Sequence, residues 1–293
     1  MRWLAISAFL VAAHGQTLQD TLKSRISGFQ GTVSLYGKNL DTGTVVEIDG
    51  SRPVRTASTI KLPILCAVFD AVAKGQAKWS DPLTVEHNEK VSGSGVIGSE
   101  LSDNVRLSLQ DVAHLMIVLS DNTATNMILD RFGADMVNAY LDRIGIATTR
   151  SMRKILGPEN PGWSAAGKLP ENQKYGLGKS TPRDMVTILE KLERGEIVSP
   201  DASKEILAIL KRCQDNTGIR RNFSGTPVAN KTGALDALRA DVGIVYAPAG
   251  RIAMAITVDD LRKPVWSPDN PGSLLIADLA KLLVEGLAAP PSK

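Results

Sequence analysis

A chain of 293 residues is long enough for one large domain or two. Hydrophobic residues make up 43% of it and charged residues 22%, which is ordinary for a globular protein with a sizeable core. The formal net charge of +3 is small and no basic run accompanies it, which argues against recognition of nucleic acids or other polyanions.

The first fifteen residues are predicted to be a signal peptide outside the fold. Arg2 provides a positive start, residues 3–13 form an apolar run too short to span a bilayer, and Ala13 and Gly15 place small residues where a signal peptidase cleaves. Cleavage before Gln16 would leave an exported protein, periplasmic or secreted, without a stable membrane anchor. The alternative is an N-terminal helix retained in the cytoplasm.

Hydrophobic periodicity predicts a helix and a hairpin next. Residues 18–28 have helical spacing, and 31–40 and 44–49 alternate as two strands joined by a turn. Residues 60–69 begin a helix that is expected to be buried on all sides. A loop-rich segment follows at 81–101.

Helices dominate the middle of the chain and strands return near its end. The predicted helices are 107–132, broken near residue 120, then 136–144, one opened by Thr181 as cap and Pro182, and 201–212. Residues 153–179 have no periodicity, and so long a loop in a compact domain is usually functional. The last predicted elements are strands at 228–233, 240–246 and 251–258 and a helix at 273–287.

This order of elements predicts an α/β fold of the α+β sandwich type. Because strands cluster at both chain ends, both ends should build one antiparallel sheet flanked by helices, with an all-helical domain inserted. The expected boundaries are 16–57 and 214–293 for the sheet domain and 58–213 for the helical domain. The helical domain would include an active-site loop at about 149–180.

Lys61 is the anomaly of the predicted buried helix, since every other residue of 60–69 is apolar or proline. An ammonium group is costly to bury without a partner. Ser58 lies three residues earlier, so the two side chains share one face at the helix start. Burial lowers the pKa of the lysine and makes it a base for the hydroxyl, while N–H groups of the helix N-terminus can bind an oxyanion. The alternative is a capping serine and a lysine that reaches solvent.

Two further motifs carry polar groups suited to a substrate. Ser120-Asp121-Asn122 interrupts a helical stretch, where its hydroxyl and carboxamide could protonate a leaving group and hold an amide. Lys231-Thr232-Gly233 lies on a predicted strand, where glycine allows a close approach and the other two could meet a carboxylate. The alternatives are a helix cap and a surface strand end. Ser102-Asp103-Asn104 repeats the first tripeptide and is interpreted as a cap of the following helix.

The three motifs in this order resemble the penicilloyl serine transferases, and nearly the whole mature chain resembles a class A β-lactamase. Supporting stretches are 57–61, 93–96, 116–126, 180–184 and 241–243. The resemblance implies a serine β-lactamase/transpeptidase-like fold and a monomer that acts on a β-lactam or acyl-D-Ala-D-Ala-like substrate, with no cofactor.

The remaining cysteines and histidines point to no further chemistry. The histidines at positions 14, 87 and 114 lack the spacing of a metal site, so no metal is expected. Cys66 and Cys213 could form a bridge, although two free thiols are the simpler interpretation.

The resemblance implies catalytic roles for three side chains. Ser58 would be the acylated nucleophile, Lys61 its base or proton relay, and Ser120 the group that passes a proton to the departing β-lactam nitrogen. It also implies that Asn122 binds the substrate side-chain amide.

At the other end of the site, the resemblance implies that Lys231 and Thr232, next to Gly233, hold the substrate carboxylate. The backbone N–H groups of Ser58 and Ala234 would form the oxyanion hole. The family's distal arginine has three candidates here: Arg220, Arg221 and Arg239.

The loop departs from the family pattern. Class A enzymes have a threonine, three residues, an arginine, one residue and then the glutamate that activates the deacylating water. Thr149 and Arg153 keep that spacing, but the glutamate position holds Ile155, which cannot take a proton from water. Asn126 resembles the asparagine that ties this loop to the helical region.

Two carboxylates in the same loop are candidate replacements for the missing base. Glu159 and Glu171 are each followed by an asparagine that could help to place a water. The alternatives are that both are surface carboxylates, or that Lys61 serves both half-reactions.

Three functions follow from this sequence. The first is an exported serine β-lactamase that hydrolyses the β-lactam amide through a Ser58 acyl-enzyme. The second is a class A-like D,D-peptidase or esterase for which β-lactams are poor substrates, and the third a penicillin-binding sensor or trap that stays acylated. The overall resemblance favours the first, and Ile155 is the evidence against it.

Overall fold

The computed structural model describes residues 17–155 and 161–288. The predicted signal peptide and Glu159 therefore lie outside the described residues. In those two ranges, no helix combines the length and hydropathy needed to cross a bilayer.

The helices and the strands follow the order expected for an α+β protein. The α-helices are α1 (Leu18–Ile26), α2 (Lys61–Ala73), α3 (Ile97–Glu100), α4 (Leu109–Val118), α5 (Asn122–Phe132), α6 (Ala134–Arg143), α7 (Ala165–Lys168), α8 (Pro182–Glu193), α9 (Pro200–Lys211) and α10 (Pro271–Leu287). The strands are β1 (Thr32–Asn39), β2 (Val45–Ile48), β3 (Val54–Arg55), β4 (Pro82–Thr84), β5 (Arg106–Ser108), β6 (Arg150–Ser151), β7 (Gly178–Ser180), β8 (Val228–Leu235), β9 (Leu238–Ala247) and β10 (Gly250–Asp259). Short 3-10 helices occur at Ala57–Ile60, His87–Glu89, Pro170–Tyr175 and Ile219–Asn222.

The two ends of the described chain build one sheet. Its five described strands lie in the order β2-β1-β10-β9-β8, and each neighbouring pair is antiparallel. The pairing of β1 with β10 runs from Thr32 opposite Asp259 to Asn39 opposite Ile252. The predicted antiparallel sheet from both chain ends is therefore confirmed. Strand β8 lies at an edge, which leaves its outer side free to face other groups.

Alternate residues of the strands point into two separate hydrophobic clusters. Leu35 and Ile256 pack with α10 on one face of the sheet. Tyr36 and Ala255 face the helices on the opposite side, where α8 and α9 pack against the strands. The alternation follows from the two-residue period of a strand. Helix α2 is buried along nearly its whole length among these helices.

Two expectations from the sequence are corrected. Ser102-Asp103-Asn104 lies in a turn before β5 and caps nothing; Ser108 caps α4 by accepting a hydrogen bond from Asp111 N–H. The segment expected to lack structure contains α7, a 3-10 helix and β7, which pairs with β3 and β6. Side-chain caps such as Ser164 on α7 order the described part of this segment, and they leave no hydrophobic period in the sequence. The division into a sheet domain and a helical domain remains a prediction.

Both cysteines are buried free thiols, Cys66 within α2 and Cys213 after α9. Burial raises the pKa of each thiol, so both are held in the protonated, unreactive form.

Candidate active site

Ser58 lies in the 3-10 turn that leads into α2, against the edge strand β8. The preceding residue, Ala57, has a left-handed φ of +45°, which is costly for a side chain with a Cβ. Gly233 allows the close approach of β8, because a Cβ there would lie 2.7 Å from Thr56 O and 3.1 Å from Ser58 N. The glycine of the Lys-Thr-Gly motif thus brings the strand against the backbone of the candidate nucleophile.

Lys61 is fully buried and has hydrogen-bond partners from one loop. Its Nζ donates to Ser120 O at 2.6 Å, to Ser120 Oγ at 3.2 Å and to Asn122 Oδ1 at 3.0 Å. Burial, followed by the charge of Lys231, lowers the pKa of Lys61 well below its ordinary value, and Asp121 opposes this only in part. The geometry therefore favours a lysine that loses its proton more readily than an ordinary lysine.

Lys231 reaches the same hydroxyl from the sheet. It is also fully buried, and its Nζ donates to Ser120 Oγ at 3.0 Å and to Thr232 O at 2.8 Å. Burial lowers the pKa of Lys231. A hydroxyl that accepts from two ammonium groups has used both lone pairs, so its single proton is available to a third group. Ser120 is suited to donating that proton into the cleft.

Asp121 organises the loop around this hydroxyl. It caps α5 by accepting from Ala124 N–H at 2.8 Å, and its other oxygen accepts from Val96 and Ile97 N–H at 2.7 and 2.9 Å. Gly95, at φ +110°, must be glycine here because a Cβ would lie 2.2 Å from the Asp121 carboxyl. The cap expected as an alternative for this tripeptide is therefore present, and the catalytic role expected for it remains a prediction.

These groups open into one cleft of about 520 Å³. Its described lining residues are Ser58, Ser92, Gly93, Ser94, Ser120, Asn122, Ile155, Leu177, Asp215, Thr232, Gly233, Ala234, Leu235 and Trp266. The structure therefore brings Ser58, Ser120, Asn122 and the Thr232–Ala234 stretch together. Lys61 and Lys231 lie beneath this surface.

Asn126 fixes the position of Ile155. Its Nδ2 donates to Ile155 O at 3.0 Å and its Oδ1 accepts from Ile155 N–H at 2.8 Å. The isoleucine side chain lines the cleft where the resemblance expects a glutamate. Lys154, beside it, is buried and paired with Asp130 at 2.6 Å and Glu89 at 3.2 Å.

Two other residues predicted in this loop, Arg153 and Glu171, are not among the described residues that line the cleft. Arg153 stacks on the ring of Trp163, with its guanidinium 5.4 Å from the ring centre, and donates to Lys154 O at 2.8 Å. Burial lowers the pKa of Arg153. Glu171 is exposed in the 3-10 helix Pro170–Tyr175 and is not among the described residues that line the cleft.

The three candidate arginines are engaged outside the cleft. Arg220 donates to backbone carbonyls and to Asn230, and Arg221 pairs with Asp269 at 2.6 Å. Arg239 donates to three backbone carbonyls and lies 4.8 Å from the ring centre of Trp266. None of the three appears among the described residues lining the Ser58 cleft, although Arg239 borders a neighbouring pocket.

Asp215 and Trp266 are among the cleft-lining residues that were not predicted from the sequence. Asp215 follows α9 and accepts a hydrogen bond from Thr232 Oγ1 at 2.8 Å. Trp266 follows β10 and is 64% exposed at the rim. Asp215 belongs to a polar turn, but nothing local indicates that this turn meets Thr232. The only sequence signal for Trp266 at the rim was a tryptophan in a predicted loop.

The comparisons with known proteins agree with this geometry. A family model described as "Beta-lactamase enzyme family" matches residues 17–287. A β-lactamase structure from Sphaerobacter thermophilus is 29% identical and has a TM-score of 0.78, with 93% of this chain and 98% of that chain covered.

Two other relatives carry different descriptions. The structure of PBP-A is 32% identical with a TM-score of 0.76, covering 92% of this chain and 94% of that one. A variant of PBP-A with a leucine-to-glutamate substitution was solved as an acyl-enzyme complex with penicillin G. The β-lactamase regulatory protein BlaB of Streptomyces cacaoi is 23% identical over 294 residues, 87% of this chain and 93% of that protein.

Proposed function

We propose a mechanism for this chain, which belongs to the class A β-lactamase family and is a serine hydrolase of the β-lactamase type. The chain forms an acyl-enzyme on Ser58 and releases the acyl group slowly. Its substrates would be acyl esters or peptides. β-Lactams would acylate Ser58, and the resulting acyl-enzyme would be hydrolysed slowly. Export through the predicted signal peptide, and the substrate-binding and catalytic roles of the residues above, are parts of this proposal.

Acylation rests on the two buried lysines that share Ser120. Neutral Lys61 would take the proton of Ser58 Oγ as that oxygen bonds to the acyl carbon. The backbone N–H groups of Ser58 and Ala234 would hold the oxyanion, a contribution worth several kcal/mol in enzymes of this kind. Ser120 would give its proton to the leaving nitrogen or oxygen, and Asn122 would bind the acyl side chain.

Slow deacylation rests on Ile155. Hydrolysis of an acyl-serine needs a group that takes a proton from the attacking water, and a hydrocarbon side chain lines the cleft at the family's position for that group. Among the described residues that line the cleft, Asp215 is the carboxylate, and it lies at the Thr232 end. This supports slow release of the acyl group over rapid β-lactam hydrolysis.

The proposal is tested by following penicillin G binding with intact-protein mass spectrometry. One penicilloyl group should attach to the wild-type chain and persist, and Ser58→Ala should remain unmodified. Rapid drug loss without an adduct would instead support an efficient β-lactamase. Glu159→Gln and Glu171→Gln would then identify a loop base, because only loss of that base makes the adduct accumulate.

A further inference from the structure

A second cavity, of about 500 Å³, lies away from the Ser58 cleft and shares no described lining residue with it. A pocket of this volume is large enough for a small organic ligand. Apart from Pro53 and Val54, every described residue that lines it has a polar or charged side chain. The pocket therefore suits a polar ligand.

The floor of this pocket is a polar patch on the sheet. Ser34 of β1 lies opposite Thr257 of β10, and both residues line the pocket. By the two-residue period of a strand, they share the sheet face of Tyr36 and Ala255, which pack into the helical cluster. Ser34 is 1% exposed and Thr257 is 6% exposed, so hydroxyl groups replace hydrophobic side chains at this end of a buried face.

The hydroxyl of Ser34 has no hydrogen-bond partner among the described residues. Buried polar groups are nearly always paired in folded proteins, because an unpaired group has lost its bonds to water without replacement. A ligand that reaches the floor of the pocket can supply the missing partner. This unpaired hydroxyl marks the cavity as a candidate binding site.

The walls of the pocket carry three cations and two carboxylates, which leaves one positive charge in excess. Arg55 and Asp259 neutralise each other, because Arg55 Nε donates to Asp259 Oδ2 at 2.9 Å and a second N–H of the guanidinium donates to Asp259 Oδ1. Asp260 accepts a hydrogen bond from Thr32 Oγ1 at 2.7 Å. The remaining two cations are Arg52 and Lys174.

Both of these cations are accessible to a ligand. The Arg52 side chain is 50% exposed, and the nearest oxygen of its partner Asp49 is 3.9 Å away. Lys174 is exposed, and its Nζ lies 5.2 Å from the ring centre of Tyr175. Guanidinium and ammonium groups bind carboxylates through charge-assisted hydrogen bonds. One carboxylate balances the excess charge, whereas a phosphate monoester carries more negative charge than the walls offset.

We propose that this pocket binds a small hydroxy acid, whose carboxylate meets Arg52 and Lys174 and whose hydroxyl group bonds to Ser34. A ligand with several hydroxyl groups also suits Thr257 beside Ser34, which favours the sugar acids within this class. The site is separate from the proposed chemistry of Ser58, and its test requires no turnover.

Two probes of equal chain length test the pocket. D-gluconate carries a carboxylate and a row of hydroxyl groups, and D-glucitol has a hydroxymethyl group in place of the carboxylate. Each probe is titrated into the isotope-labelled full chain, and the backbone amide shifts are followed by NMR. Gluconate should shift the amides of Ser34, Arg52 and Thr257 in a saturable way. The dissociation constant for glucitol should be about tenfold higher or more, because the charge-assisted bonds are lost.

Arg52→Gln should raise the dissociation constant for gluconate about tenfold, because it removes the charge and keeps a hydrogen-bonding side chain. Arg106→Gln is the matched control, since Arg106 is exposed on β5 and is not among the described residues lining the pocket. Ser34→Ala should also weaken binding, yet leave the melting temperature of the free chain unchanged or higher, because it removes a hydroxyl that lacks a partner.

Equal affinity for gluconate and glucitol, or an unchanged affinity for gluconate in Arg52→Gln, would overturn the inference. Absence of saturable shifts at the three amides, or shifts confined to the Ser58 cleft, would overturn it as well. Ser58→Ala should bind gluconate as the wild-type chain does, so a failure of the proposed acylation and a failure of this site are separate outcomes.

Discussion

At the scale of single residues, the cleft depends on two ammonium groups that the fold removes from water. Lys61 approaches Ser120 from the helical side and Lys231 approaches it from the sheet. Burial lowers the pKa of both lysines, and the charge of Lys231 lowers the pKa of Lys61 further. Such an arrangement is costly for stability and suited to proton transfer.

The first prediction concerns Lys61. Since its pKa is lowered, the neutral amine forms at a lower pH than for an ordinary lysine, and the rate of Ser58 acylation should rise with pH through that pKa. Lys61→Arg keeps the charge but cannot lose its proton. It should lower the acylation rate about 10²- to 10⁴-fold and remove this rise. Stopped-flow rates of acylation by penicillin G across pH measure both effects. An arginine variant with the wild-type profile would exclude Lys61 as base.

The second prediction concerns Ile155. Because its side chain lines the cleft and its backbone is fixed by Asn126, Ile155→Glu places a carboxylate at the family's position for the deacylation base. Loss of the penicilloyl adduct should become about 10²- to 10⁴-fold faster. Ile155→Gln is the matched control, with similar shape and no basic group. Equal acceleration in both variants would show that polarity rather than a base is responsible.

At the residue scale, the sequence alone predicts proximity for groups that are close along the chain. Ser58 and Lys61 are three residues apart, so helix geometry alone indicates that they share a face. Asp215 and Trp266 meet the cleft only because segments after α9 and after β10 converge on β8. No local sequence pattern indicates that these distant segments are in contact, so neither residue was predicted.

At the scale of elements, the segment between α6 and α8 is held by polar clamps. Asn126 of α5 binds both backbone groups of Ile155, and Asn138 of α6 binds both backbone groups of Ser151 in the same way, at 2.9 and 2.8 Å. The ion pair between Lys154 and Asp130 is a third contact that holds this segment, and it is made to α5. These contacts explain why the described part of a segment with no hydrophobic period is nevertheless ordered.

The third prediction compares the two clamps. Asn126→Ala and Asn138→Ala should each lower the free energy of unfolding by about 1–3 kcal/mol, because each leaves a buried N–H and C=O unpaired. Only Asn126→Ala should also alter the acylation and deacylation rates, since Ile155 lines the cleft and Ser151 does not. Chemical denaturation measures the first effect, and the rates at which the penicilloyl adduct forms and is lost measure the second. A kinetic change of equal size in Asn138→Ala would mean that the whole segment moves as one unit.

At the scale of the whole molecule, the sheet joins the two ends of the described chain. Its edge strand β8 contributes Lys231 and the Thr232–Ala234 stretch to the candidate active site. The sequence predicted this architecture because strand alternation at both ends is strong and the helices lie between. It did not predict that the carboxyl group of Asp241 on β9 is buried. Asp241 lies opposite Thr232 in the β8–β9 pair and accepts hydrogen bonds from Ile219 N–H at 2.8 Å and from Asn230 Nδ2 at 3.1 Å. A charged residue in a strand usually indicates a solvent-facing position, so only the assembled sheet shows its burial.

The fourth prediction is a pH dependence of stability. Burial raises the pKa of Asp241 to about 7 from an ordinary value of 3.8. The folded chain therefore holds a proton that the unfolded chain has lost, and this contribution to stability is full below about pH 4 and is lost as pH rises to about 7. Asp241→Asn, which cannot ionise, should show a smaller fall in melting temperature over that range than the wild-type chain. Parallel curves for the two proteins would contradict the burial of an ionisable carboxyl there.

The central claim, an acyl-enzyme on Ser58 that hydrolyses slowly, is tested most directly by time-resolved mass spectrometry of the intact chain in excess penicillin G, with drug loss followed in parallel. The account predicts one covalent adduct, located by peptide mapping to the peptide that contains Ser58, which outlasts the removal of free drug and is absent in Ser58→Ala. An adduct that survives that substitution, or rapid drug consumption with no adduct, would contradict it.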